Sequence, residues 1–259
     1  MKLLSLKKLK LSPSESKTFK IHSSHMFLEG IIDGALILNE FILVKGLFGS
    51  HFQISYLFQF SVIVLLFSVI FNEIIKRTLN KKRLLIWVGI ITRLPLATLM
   101  FFPSNAQTII QNPFYAGIFL TIFLFYYIYK PVILPTINLL LRHNYSSANF
   151  GKLYSYSTLV KKVVVIATTF AFALLLDFDN YAFTYIYPIL SLLGILSIFL
   201  LTLIHYDAPK TISVSVKLLN AIKTSYIELI NILKRNKPYR DFEGGFMFYG
   251  FAWMATAAV

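Results

Sequence analysis

The sequence predicts an all-α, polytopic membrane protein, and three observations carry that prediction. Of 259 residues, 57% are hydrophobic and only 14% charged, where a soluble domain commonly carries about a quarter. Mean hydropathy is +0.69. Several apolar runs approach the roughly 20 residues that a helix needs to cross a bilayer. These runs are continuous, whereas the strands of a membrane barrel would show short segments of alternating polarity. The chain has no cysteine, which removes disulfides and thiolate metal sites from consideration.

The opening stretch, MKLLSLKKLKLSPSES, is basic but lacks the apolar core and small-residue cleavage site of a signal peptide, so residues 1–25 read as a retained cytoplasmic tail. The first span, about 26–48, carries Glu29, Asp33 and Glu40. In an uninterrupted helix these carboxylates fall within roughly 40° of one another, an acidic stripe that lipid would not tolerate. The second span is about 53–75, followed by the basic loop KRTLNKKR, and the third about 84–102. The fourth, about 114–141, holds Pro131 and Pro135, which would kink it. The fifth and sixth are about 159–176 and 181–204, joined by the acidic turn DFDN. Together, residues 26–206 are expected to form a six-helix transmembrane bundle.

Counting cations orients the chain. With the amino terminus inside, 22 of the 25 Lys and Arg fall in cytoplasmic segments or at their edges, and the three outer connections have none. This is the positive-inside asymmetry of a plasma (inner) membrane protein with a cytoplasmic amino terminus. It also accounts for the net charge of +14: the basic loops face anionic lipid, with no need for nucleic acid as a partner. Residues 207–240 form a cytoplasmic linker. Within it, Ile212, Val216, Leu219, Ile222, Tyr226, Ile230 and Leu233 recur at steps of three and four, an amphipathic helix suited to the membrane surface or to another domain. Residues 241–259 read as the start of a seventh span that stops short, so the sequence is expected to be the amino-terminal portion of a longer protein.

Two loops carry a family likeness. In EIIKRTLNKKRLL, Lys81 and Lys82 stand as a basic pair after Asn80, with Glu73 at the position of a leading glycine and Arg77 at that of an acidic residue. In PTINLLLRHNYSSANFGKLYS, Gly151 and Lys152 enter span five behind Phe150, where an arginine is usual. With six spans, a basic linker and a re-entering seventh, the chain resembles the major facilitator superfamily over nearly its whole length. That resemblance implies that helices one and four line a central cavity, that helix three sits further back, and that a second six-helix half is missing here and is needed for transport.

Counted from the inner ends of their spans, Asp33 lies roughly 10 Å deep, Arg93 roughly 14 Å, Lys130 roughly 16 Å and Glu40 roughly 21 Å. Charges at such depth need partners or water. Asp33, with Glu40, is a candidate to bind a proton or a cationic part of a substrate, and Lys130 is its counter-charge or an anion ligand. Arg93 is the fourth candidate for substrate or proton binding, with a structural role suggested by the set-back place of helix three, and the plain alternative for all four is a set of ion pairs that lock helices together. Glu29 reads as an interfacial contact, and Gly30 and Gly34 as a close-packing pair. Five histidines share no metal spacing, so no metal or other cofactor is expected. No phosphate-binding loop or hydrolase elbow is present. The expected function is therefore a non-enzymatic one: secondary active transport of a small solute by alternating access, with the acids open to proton coupling. The alternative is a six-span membrane enzyme or assembly subunit acting on lipid.

Overall fold

The computed structural model describes residues 11–207 and 217–257, with the side chains of 61, 62, 65, 66 and 253–257 excepted. The basic start of the tail and the first part of the linker lie outside the described residues. Two compact units divide the chain, Met1–Ile212 and Ser213–Val259. Every regular element among the described residues is helical. Four helices are long and apolar enough to cross a membrane, Lys81–Phe101, Phe114–Asn144, Ser147–Phe178 and Phe183–Thr202. They correspond to spans three to six of the sequence reading.

The first two spans are built differently. Helix α1 runs Pro13–Leu36, starting well inside the predicted tail. Its start is set by a capping box: Ser12 Oγ accepts from Glu15 N at 3.1 Å, and Glu15 Oε2 accepts from Ser12 N at 2.9 Å. After a turn at Ile37 and Leu38 the span continues as α2, Asn39–Phe41, and a π-helical segment, Ile42–Gly46. The second span divides at Phe67 into α3, His51–Leu66, and α4, Ser68–Arg77. Then follow α5, Lys81–Ala97, a 3₁₀ turn, and the short α6, Ala106–Gln111. The fourth span is α7, Phe114–Tyr127, and α8, Lys130–Asn144. Pro131 lacks the N–H that would bond the Tyr127 carbonyl, and the chain turns through Ile128 and Tyr129 ahead of it. The fifth is α9, Ser147–Phe178, and the sixth α10, Phe183–Thr202.

Helix α1 packs on α9 and α10, α5 on α10, α7 and α8, and the α3–α4 pair on α7 and α8. Helix α8 also meets α1 and α9. An aromatic core of Phe119, Phe123, Phe172, Phe183 and Tyr187 fills the middle, with neighbouring rings 4.6–6.4 Å apart. Tyr187 donates to Asn39 Oδ1, fixing the residue just past the α1 break.

The glycine pair packs as its spacing implies. A Cβ at Gly30 would stand 2.9 Å from the Lys161 carbonyl oxygen, and one at Gly34 2.7 Å from that of Val165. Thr169 Oγ1 donates to the Gly34 carbonyl at 2.8 Å, which is possible only at this separation. Gly34→Ala is expected to cost about 1–3 kcal/mol by overpacking against backbone. Gly117→Ala, where a Cβ meets nothing within 4 Å, should leave the unfolding midpoint in detergent unchanged or slightly raised.

Glu15 joins the same two helices at their starts. Its Oε1 accepts from Ser146 N at 3.0 Å, Ser146 Oγ at 2.8 Å and Asn149 Nδ2 at 3.2 Å. The backbone N–H groups of Ser12 and Ser146, then the Ser146 hydroxyl, hold its carboxyl down at about 2, from an ordinary 4.5. A depressed carboxyl stabilises the fold above its unfolded value and loses that effect as the pH falls through the folded one. Glu15→Gln is therefore expected to lower stability by about 1–3 kcal/mol at neutral pH. The gap to the parent should close between pH 4.5 and about 2, read as unfolding midpoints across pH.

In the second unit, α11 spans Leu218–Arg235 and buries no residue. Leu219, Ile230 and their neighbours are exposed. Helix α12, Lys237–Ala257, starts before the predicted seventh span, with Asn236 Oδ1 accepting from Tyr239 N at 3.1 Å.

Candidate functional site

At the centre of the first unit lies an ion pair that the sequence reading did not assemble. Arg93 on α5 is fully buried and Glu29 on α1 is 4% exposed. Arg93 Nη2 donates to both Glu29 oxygens, at 3.0 and 2.9 Å. Glu29 Oε1 also accepts from Ser197 Oγ at 3.1 Å. With that proton committed, Ser197 Oγ and the Ser197 carbonyl are left as acceptors for His25 Nδ1, at 2.8 and 3.1 Å. This assigns the His25 proton to Nδ1. A polar chain thus runs His25, Ser197, Glu29, Arg93 through the packed interior.

The other side of the guanidinium is aromatic. Its carbon sits 4.4 Å from the ring centroid of Tyr126 and 4.1 Å from that of Tyr129, a cation–π arrangement favoured where water is excluded. Among the described residues, Nε and Nη1 of Arg93 and the Tyr126 hydroxyl find no hydrogen-bond partner. Gly194 on α10 gives the arginine its room, since a Cβ there would stand 2.9 Å from Arg93 Cδ. Ser191 Oγ donates to the Arg93 carbonyl at 2.8 Å.

Beside this buried pair the charges become accessible. Asp33 pairs with Lys161 of α9 at 2.6 Å, their side chains 30% and 25% exposed. Lys130, at the start of α8 and half-buried, lies over the Tyr127 ring at 4.6 Å. Glu29 and Asp33 of the neighbouring α1 are held by Arg93 and Lys161, and among the described residues no carboxylate lies within ion-pair distance of Lys130. Of the four residues singled out from sequence, Asp33, Arg93 and Lys130 come together. Glu40 does not: it is exposed beyond the α1 break, in a shallow depression with Val44 and Lys45.

Sequence reasoning drew Asp33 toward Lys130, whereas Asp33 pairs with Lys161. It put Glu29 at the interface, whereas Glu29 is interior. Glu29, Lys161, Ser197 and His25 were the residues it missed. The loop-motif residues act locally. Asn80 Oδ1 accepts from Arg83 N at 3.0 Å, capping α5. Lys81 is buried and donates to the carbonyls of Ile75 and Thr78, tying off α4. Lys82 is half-buried, Lys152 is exposed, and Gly151 faces open space. Among the described residues no three His, Asp or Glu side chains converge as metal ligands would.

Fold and site define the class at a coarse level: an all-helical membrane protein with a buried cluster of charges where α1, α5, α8 and α9 meet. No family model, curated protein or solved structure matches the chain.

Proposed function

We propose that the protein is a secondary transporter of a small solute, working by alternating access at the cluster of Asp33, Lys130 and Lys161, in the manner of the major facilitator superfamily. The observation that carries this reading is a repeat in the packing. Exchanging spans one, two and three for four, five and six turns the contact of one with five into that of four with two. It turns one with six into four with three, and leaves three with six and one with four unchanged; all of these contacts are present. Three spans per repeat make the second run opposite to the first, the inverted-repeat plan of many carriers. The two spans that exchange as one and four are both interrupted, at Ile37–Leu38 and at Ile128–Tyr129. They carry Asp33 and Lys130, and paired interruptions are where carriers place their sites. Rocking would occur against a second six-helix unit.

Because the chain has no cysteine, single-cysteine probes need no background removal. In vesicles carrying the protein, Tyr127→Cys is expected to react with a membrane-impermeant thiol reagent from either side, in right-side-out and in inverted preparations. Reaction from one side only, under every condition, would refute alternating access.

A further inference from the structure

We propose that the site takes a solute with an anionic group, a carboxylate or a phosphate, and that the Lys130 ammonium is its ligand. The inference rests on the transport reading for calling the solute cargo, but its charge argument stands on the cluster alone. Three cations, Arg93, Lys130 and Lys161, meet two carboxylates, Glu29 and Asp33. Arg93 is held by both oxygens of Glu29 at 2.9–3.0 Å, and Lys161 is held by Asp33 at 2.6 Å. Lys130 is left with the face of Tyr127 at 4.6 Å. A half-buried ammonium between apolar helices is costly without a counter-charge, and one negative group on a ligand supplies it.

The same geometry argues against a cation. Glu29 is 4% exposed and already accepts from Arg93 and Ser197, so no cation reaches it. Asp33 already holds the Lys161 ammonium on Oδ2 at 2.6 Å, so a cation arriving there would share one carboxylate with a charge of its own sign. An anion at Lys130 displaces nothing. Tyr127 is half-buried next to it, so an approaching anion meets the ammonium beside an aromatic face.

Free solutes and lipid phosphates share this chemistry, so the test separates them. The purified full chain in neutral maltoside micelles is titrated with succinate, with inorganic phosphate, with tetramethylammonium chloride and with micelles doped with phosphatidylglycerol. Ionic strength is matched with sodium chloride throughout, and the unfolding midpoint is followed. Succinate or phosphate is expected to raise the midpoint saturably and tetramethylammonium to leave it in place. Lys130→Met should weaken the apparent affinity roughly tenfold to a hundredfold, as loss of a charged hydrogen-bond donor does. Lys130→Arg should retain it, and Lys162→Met, an exposed neighbour of the cluster, should match the parent. A response to phosphatidylglycerol alone, to the cation alone, or an anion response unchanged in Lys130→Met would each overturn the proposal. Two-sided labelling at position 127 together with any of those results would leave transport standing and remove only the anion.

Discussion

Arg93→Met alone is expected to destabilise the protein by about 3–5 kcal/mol, the largest effect of any single substitution in the bundle. The reason lies in what remains. Glu29 would keep its charge in an interior where only Ser197 still donates to it. Glu29→Gln leaves the opposite orphan, a guanidinium with five donors whose accepting oxygens have been reduced to one amide. Combining Arg93→Met with Glu29→Gln removes both charges and keeps an acceptor for Ser197, so the double variant should recover most of the loss. The coupling is to be read from a thermodynamic cycle of unfolding free energies in mixed micelles. The double variant's loss should fall below the sum of the two single losses by about 3 kcal/mol or more, at or beyond the upper end of the range for residues in contact. Additive losses would mean that the pair contributes no more than its separate contacts. The aromatic faces of Tyr126 and Tyr129 hold the methionine stem of the double variant as they hold the arginine, so the cavity left behind is small.

This pair also shows where a sequence stops being readable. Spans three to six were legible because long apolar runs announce themselves regardless of partner. The start of α1 was legible too, in Ser12, Pro13 and Glu15, which spell a capping box with proline in the first turn. That signal was passed over when residues 1–25 were read as a tail, and depths counted from Met26 then put Glu29 at the interface. Lys161 was lost for a similar reason. Beside Lys162 it looked like the end of a basic loop, but α9 begins at Ser147, so Lys161 stands well inside a helix. The Glu40 position failed on arithmetic. The 100° step holds only in an unbroken helix, and the turn at Ile37 and Leu38 rotates Glu40 out of the stripe. Which carboxylate meets which cation depends on the register between helices far apart in sequence, and no local pattern encodes that.

Proton coupling makes the second large prediction, and it turns on the accessible pair. Asp33 is paired with Lys161 of α9 at 2.6 Å. Glu29 stands one turn before it on α1, paired with Arg93 of α5, and α8, which packs against α1, carries Lys130 beside the Tyr127 ring. A proton on Asp33 cancels its hold on Lys161 and leaves two ammonium groups, Lys130 and Lys161, facing the same space. An anion then gains a second ligand at the moment the proton binds, and releasing either one favours release of the other. Coupling of one proton per solute changes the accumulation ratio about tenfold per unit of pH gradient, since one pH unit is about 1.4 kcal/mol. In vesicles carrying the protein, Asp33→Asn should flatten that dependence while solute exchange at equal pH persists. Exchanging the pair, Asp33→Lys with Lys161→Asp, keeps the α1–α9 contact and moves the carboxylate to the other helix. If the carboxylate itself is the coupling group, the exchanged pair regains part of the slope that Asp33→Asn loses. An unchanged slope in Asp33→Asn would instead separate the proton from Asp33 and leave the Asp33–Lys161 pair as a clasp between α1 and α9.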